Sequence, residues 1–180
     1  MKRASYYIRI AGSLLLICMV TALLLAAVNL LTRDVIAENA RREKEEAIAL
    51  LYPSFARMEE IPVPGEAEGV HTVYAVYEES GMAGYVVDLE TTGFGGPINM
   101  MVGISPEGVV SGVRVVSHSE TPGFGSRAAE QAYLAAYTGK GGELVLGADI
   151  DAVSGATISS RAILAGVNLA LSLGLGGEGV

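Results

Sequence analysis

Cysteine, histidine and tryptophan are scarce in this 180-residue chain. It contains one cysteine (Cys18), two histidines and no tryptophan. A single cysteine excludes an internal disulfide and the usual cysteine sets that hold iron–sulfur clusters. The sequence also has no cluster of metal-ligand residues, no P-loop and no paired nucleophile and base. We therefore expect no metal site and no catalytic residue, so that the chain does not turn over a substrate alone.

Positive charge is also scarce in most of the chain. Of the 12 basic residues, Lys2, Arg3 and Arg9 precede a long apolar run, which leaves nine after it, and all 20 acidic residues follow it. The part after the run therefore has a net charge of −11. Nucleic acid and anionic lipid surfaces both require a basic protein surface. We expect neither nucleic-acid binding nor a domain lying flat on the membrane.

The apolar run itself predicts a transmembrane helix over residues 10–31. These 22 positions carry no charged residue, and roughly 20 suffice to cross a bilayer core. A cleaved signal peptide is the alternative, but its apolar core has only about 7–15 residues. Lys2 stands where myristoylation requires glycine. The basic residues that flank the run are nearly balanced, so the positive-inside rule leaves its orientation open.

The remaining sequence predicts an α+β domain with antiparallel strands and packed helices. Residues 32–52 are rich in helix formers and end before Pro53, so we expect a juxtamembrane helix there. A loop is expected over 53–68, then strands over 69–80, 81–92, 98–105 and 109–120. Helices are expected over 127–139 and 158–174. His71 is assigned to the surface, and Met100 and Met101 to the core.

Three glycine-rich segments stand at the ends of these elements. They are the first loop (residues 91–97), the second loop (118–125) and the third loop (151–157). Glycine allows backbone to approach a ligand closely, although each segment alone is compatible with an ordinary turn. The third loop precedes a predicted helix, and a helix N-terminus binds phosphate. The alternative is that Ser154 or Thr157 simply caps the helix, which leaves Asp151 unexplained.

The third loop, DAVSGAT, matches the flavinylation pattern D-x-x-[ST]-G-A-[TS] at every fixed position. It thereby resembles the FMN-binding domain family, in which the last hydroxyl is esterified to the FMN phosphate by a separate Mg²⁺-dependent flavin transferase that uses FAD. The resemblance implies covalent FMN on Thr157. The segments GFGGPI and HSETPGFG occur in the same order as in that family, so the resemblance covers roughly residues 84–175.

Together with the N-terminal anchor, the chain resembles the G subunits of Rnf complexes, which are ion-pumping ferredoxin:NAD⁺ oxidoreductases. The related C subunits of sodium-pumping NADH:quinone reductases share these motifs. The resemblance implies an electron-transfer subunit of a redox enzyme complex, with other membrane subunits as partners. It also implies a cytoplasmic N-terminus over residues 1–9 and an extracytoplasmic FMN-binding domain over 53–180.

On this resemblance, the FMN site draws on all three loops. Phe94, Pro97, Pro122 and Phe124 are candidates for apolar walls around the ring, and His118 or Glu120 for contact with the ring or support of Thr121. The candidate cofactor-binding residues are Thr157, Asp151, Ser154, Gly155, Ala156, Gly95, Gly96, Pro97, His118, Glu120, Thr121 and Gly123.

Two other readings of the same residues stay open. One is a free-standing, membrane-anchored flavinylated electron carrier, in which the local motif would be the same. The other is a membrane-anchored scaffold module without flavin, in which the Ser-Gly-Ala-Thr step is only a helix cap.

Overall fold

The structure is a computed structural model that describes residues 2–65 and 67–176. Helix α1 (Lys2–Leu51) is continuous and ends before Pro53, as the sequence predicts. Within it, Leu14–Arg33 has a mean hydropathy of 2.7 and is long and apolar enough to cross a membrane. The chain forms two compact units, the first ending at Glu43 and the second beginning at Lys44.

The second unit is built on a five-stranded antiparallel sheet. Its strands are β1 (Arg57–Ile61), β2 (Val70–Glu78), β3 (Gly81–Thr92), β4 (Pro97–Ile104) and β5 (Val110–His118). Every strand pairs with the next along the chain, giving the order β1-β2-β3-β4-β5. This arrangement confirms the α+β class with antiparallel pairing.

The prediction of a loop over 53–68 is wrong at strand β1. The segment RMEEI has no clear alternation, because as an edge strand it pairs only with β2 and leaves most of its side chains exposed. Arg57 lies opposite Tyr77, and its guanidinium carbon is 4.6 Å from the centre of the tyrosine ring. This cation–π contact helps to hold an edge that has little apolar surface to bury.

Helix α3 (Thr157–Ser172) covers one face of the sheet, against β3 and β4. Its buried side chains include Ile163 and Val167, which belong to the same core cluster as Leu89 and Met100. A Cβ on Gly166 would lie 2.8 Å from the Met100 sulfur, so this glycine lets the helix approach the sheet closely. The observed helix differs from the predicted 158–174 by one or two residues at each end.

The opposite face of the sheet is covered by the last turns of α1. Ile48 and Tyr52 pack with Val86 and Met101 in a second buried cluster. The Tyr52 hydroxyl lies 3.0 Å from the Ile104 carbonyl oxygen, to which it donates a hydrogen bond, and burial raises its pKa. Met100 and Met101 thus alternate between the two faces and are both fully buried, which confirms their assignment to the core.

An ion pair also joins the end of α1 to this face. Lys44 Nζ lies 2.8 Å from Asp88 Oδ2 on strand β3. The Asp88 side chain is 8% exposed and that of Lys44 is 40% exposed. The hydrogen bond to Asp88 raises the pKa of Lys44.

The predicted helix over 127–139 is wrong as a single element. The chain instead forms a 3₁₀ turn over Gly125–Ala129, a short helix α2 (Gln131–Leu134) and a second 3₁₀ turn over Ala135–Tyr137. Glu130 interrupts the helical path because its backbone is extended, with ψ at 139°. The buried side chains here are Leu134 and Tyr137, whereas the helical spacing in the sequence was at Ala129, Tyr133 and Ala136, of which Ala136 is exposed.

Candidate functional site

The three glycine-rich loops converge at the N-terminal end of helix α3, where they enclose a cavity of about 510 Å³. That volume is within the range of about 300–1,000 Å³ typical of small-molecule sites. Its lining residues come from all three loops and from the first turn of α3. They are Phe94, Glu120, Thr121, Phe124 and Gly125, together with residues 155–159.

A tight turn leads into α3 and leaves its N-terminus open. The Ala156 N–H donates to the Val153 carbonyl at 2.9 Å, and Gly155 occupies the third position of the turn with φ +81°. A type II turn requires positive φ there, which glycine adopts without strain. The Val153 N–H donates in turn to the buried Ser160 hydroxyl at 3.0 Å. The helix therefore begins at a fixed point on the cavity wall.

Neither Ser154 nor Thr157 caps the helix. Ala156 occupies the capping position, and no side chain makes a capping hydrogen bond. The first helical bond runs from the Ser160 N–H to the Ala156 carbonyl at 2.9 Å, so the amides of residues 157–159 precede it and have no acceptor within the helix. These donors and the helix dipole contribute partial positive charge at this end of the cavity.

Thr157 is the first residue of α3, lines the cavity and is exposed. In the part of the chain that the structure describes, we find no hydrogen bond to its hydroxyl. The side chain that the sequence motif singles out therefore lies beside three open amides and is accessible to another molecule.

Glu120 also lines the cavity and is 5% exposed. Its Oε1 accepts a hydrogen bond from the Gly95 N–H at 3.2 Å, and its Oε2 accepts one from the Ser159 hydroxyl at 2.9 Å. Glu120 thus connects the first loop, the second loop and α3. The sequence did not predict these two partners, and the expectation that Glu120 contacts the ring or supports Thr121 stays a prediction.

The mouth of the cavity is apolar. Phe94 is 72% exposed and Phe124 is 65% exposed, although both are large hydrophobic side chains. Ile158 is also exposed beside Thr157. Exposed apolar side chains grouped at a concave site are typical of a surface that a ligand or a partner covers.

Other residues predicted for the site make contacts between or within the loops and do not line the cavity. Gly95, Gly96 and Pro97 lie against the second loop, where the Ser119 N–H donates to the Pro97 carbonyl at 3.1 Å. His118 is exposed, and its Nδ1 accepts a hydrogen bond from the Glu120 N–H at 3.2 Å.

The remaining predicted residues are in the turns themselves. The Gly123 N–H donates to the Ser126 hydroxyl at 2.9 Å. Asp151 and Ser154 are exposed in the third loop. Pro122 is exposed in the second loop, outside the lining.

Sequence reasoning missed two lining residues, Ile158 and Ser159. Both directly follow the motif that ends at Thr157, and the first turn of a helix presents successive side chains around its axis. The predicted helix start could therefore have indicated that these two residues lie at the site. Among the described residues, no group of three or more His, Cys, Asp and Glu side chains is placed to hold a metal ion.

Two family profiles match the chain. The FMN-binding domain matches residues 93–172 and thus includes all of the cavity lining. The RnfG N-terminal region matches residues 1–50, which are nearly all of helix α1.

Similar proteins span almost the whole chain. The G subunit of the proton-translocating ferredoxin:NAD(+) oxidoreductase complex of Clostridium ljungdahlii is 27% identical over 90% of this chain and 88% of its own length. The G subunit of an ion-translocating oxidoreductase complex of Stutzerimonas stutzeri is 30% identical over 94% of this chain and 80% of its own length. The crystal structure of Shewanella oneidensis NqrC has a similar fold, with a TM-score of 0.50, 24% identity and 68% of each chain covered.

Proposed function

This chain belongs to the RnfG family, the G subunits of ion-translocating oxidoreductase complexes, and from that membership we propose that it carries FMN esterified to Thr157. It is a membrane-anchored electron-transport protein with an FMN-binding domain. We further propose that it works as a redox subunit of a ferredoxin:NAD⁺ oxidoreductase complex, as the names of its relatives indicate.

The observation that carries the proposal is the uncapped start of α3 beside the exposed Thr157 hydroxyl. A phosphodiester has one negative charge, which the three open amides and the helix dipole of this terminus would stabilise. A side-chain cap would occupy these donors, and none is present at this helix. The chemistry of the site therefore fits the phosphate end of FMN.

The rest of the cavity fits the ring end. Flavin rings are flat and largely apolar, and cofactor sites combine apolar walls with a few placed polar groups. Phe94, Phe124 and Ile158 supply exposed apolar surface around the mouth, and the Thr121 side chain and nearby backbone supply polar groups. When bound, FMN supplies the electron transfer, and these residues position it and exclude water.

Attachment requires a flavin transferase and FAD as partners. Thr157 Oγ1 forms a bond to the phosphorus in the FMN half of FAD, and the bond from that phosphorus to the bridging pyrophosphate oxygen breaks. AMP leaves, and the hydroxyl proton passes to a base of the transferase. No oxidation or reduction accompanies this step. Its product is a chain that cannot lose its cofactor by dissociation.

We place residues 53–180 outside the cytoplasm, in the periplasm or its equivalent, with residues 1–9 in the cytoplasm. Free FMN is scarce outside the cell, so covalent attachment is most useful there. Affinity purification of the tagged chain in mild detergent tests the partner assignment. Recovery of other membrane subunits supports a complex, whereas recovery of the flavinylated chain alone supports a free-standing carrier.

The attachment site is tested by producing the full chain with a working transferase and weighing it intact. Esterified FMN adds about 438 Da, the mass of FMN less one water. Thr157→Val is nearly isosteric but has no hydroxyl, so we expect the bare mass and no flavin fluorescence in a denaturing gel. Thr157→Ser keeps the hydroxyl and is the matched control, which should still gain the mass. Flavin on the valine variant after denaturation contradicts the assignment.

A further inference from the structure

The Glu120 carboxylate occupies the junction of three separate segments of the chain. It accepts hydrogen bonds from the Gly95 amide in the first loop and the Ser159 hydroxyl in α3. The backbone N–H of Glu120 donates a hydrogen bond to His118 Nδ1, also in the second loop. A carboxylate that is 5% exposed requires such partners, because burying a charge without hydrogen bonds is costly. The interaction therefore fixes the positions of all three segments.

The glycines around this carboxylate leave the space that it needs. A Cβ on Gly93 would overlap Glu120 Oε1, and one on Gly125 would overlap Oε2 and lie 2.8 Å from the Ser159 hydroxyl oxygen. A Cβ on Gly95 would lie 2.9 Å from Glu120 Cα. Two glycines thus leave space for the Glu120 side chain and a third lies against its backbone, which indicates that the loops are shaped around Glu120.

We propose that Glu120 is a positioning residue for flavin attachment, which holds the first and second loops against the first turn of α3 so that Thr157 is presented at the cavity. This inference rests on the proposed function. Ser159 is two residues after Thr157 in the same helical turn, so its bond to Glu120 sets the orientation of that turn. The role is geometric and does not depend on the negative charge.

Two conservative substitutions separate geometry from charge. In Glu120→Gln, the amide oxygen can accept from the Gly95 N–H while the amide nitrogen donates to the Ser159 hydroxyl, which accepts as well as donates. In Glu120→Asp, the charge stays but the side chain is one methylene shorter and cannot reach both groups. If Glu120 has a positioning role, the Glu120→Gln variant should still gain FMN normally and the Glu120→Asp variant should not.

The first measurement is the rate at which the full chain gains the FMN mass from FAD and a purified flavin transferase. We expect Glu120→Gln to react at nearly the wild-type rate, and Glu120→Asp and Glu120→Ala to react about tenfold more slowly or worse, as expected when a hydrogen bond is lost. Glu130→Gln, which alters a glutamate of the same region that does not line the cavity, is the matched control and should react normally.

The second measurement uses the flavin-free chain and is hydrogen exchange at the Gly95 amide. We expect the Gly95 amide to stay protected from exchange in Glu120→Gln and to exchange about tenfold faster in Glu120→Ala. Adding Ser159→Ala to the Glu120→Ala variant should not speed exchange of the Gly95 amide further, because Glu120 and Ser159 share one hydrogen bond.

Two results overturn the proposal. One is an alanine variant that matches the wild type in both measurements. The other is an aspartate variant that reacts normally while the glutamine variant fails, which would assign the role to charge. If the wild-type chain gains no mass beside a transferase that modifies another substrate, the proposed function fails, and the exchange comparison still decides whether Glu120 positions the loops.

Discussion

The Lys44–Asp88 ion pair leads to an asymmetric prediction for stability. Asp88 is almost fully buried, whereas Lys44 is 40% exposed and can reach water without its partner. Breaking a fully buried pair by removing one partner costs about 3–5 kcal/mol, mainly because a charge is left buried. We expect Lys44→Met to cost about 2–3 kcal/mol, reduced from that range by the partial exposure of this site.

The reciprocal substitution should cost less. Asp88→Asn leaves a neutral side chain that can still accept a hydrogen bond, and Lys44 remains solvated, so we expect a loss of about 1 kcal/mol. The double variant Lys44→Met/Asp88→Leu leaves no unpaired charge. It should therefore be more stable than Lys44→Met alone.

The assay is urea unfolding of the flavin-free full chain in detergent, followed by near-ultraviolet circular dichroism. The chain has no tryptophan, and six of its eight tyrosines lie at or after Tyr52, so most of the tyrosine signal reports the folded domain. Equal losses for the two single variants, or a larger loss for Asp88→Asn, would refute the reasoning that burial of the carboxylate sets the cost.

The same pair predicts how stability depends on pH. The hydrogen bond to Asp88 raises the pKa of Lys44 above its ordinary value of 10.5. The pair's contribution is therefore complete below pH 10.5 and is lost as the pH rises through the higher pKa of the folded state. Between neutral pH and pH 10.5 the stability difference between the wild type and Lys44→Met should be constant, and it should shrink as the pH rises further.

Two further substitutions probe the sheet and the cavity. Tyr52→Phe removes the buried hydrogen bond to the Ile104 carbonyl, and we expect a loss of about 1 kcal/mol in urea unfolding, with flavin attachment unchanged. Gly95→Ala places a Cβ against the Ser119 backbone, and overpacking of this kind costs about 1–3 kcal/mol. A lower melting temperature and slower gain of the FMN mass would agree with a displaced first loop, whereas a normal rate would contradict it.

The sequence predicted the elements whose side chains repeat regularly. The uncharged run in α1, strands β2 to β5 and α3 all have continuous or alternating apolar faces, so their patterns identified them. Strand β1 has only Met58 and Ile61 partly buried, which is too little for a period to be seen. The 125–137 segment has helical spacing, but the extended backbone at Glu130 interrupts it, and the short elements on either side pack against β5, a contact that the local sequence pattern does not show.

The candidate site was predictable in part. The motif identified Thr157 and the turn before it, and both lie on the cavity, although their role in binding FMN stays a prediction. The bonds of Glu120 to Gly95 and Ser159 span 25 and 39 positions in the chain. No local pattern encodes contacts over such separations, so the sequence placed Glu120 near the ligand without showing that it joins the loops.

The meander order of the sheet has a consequence for maturation. Each strand pairs with the one made just before it, so the sheet can form progressively in the order of synthesis. Helix α3 follows all five strands and carries the Thr157 hydroxyl, the proposed site of flavin attachment. On that proposal, a nascent chain lacks a competent acceptor until α3 has been made and packed, so a transferase would modify only molecules that have completed this step.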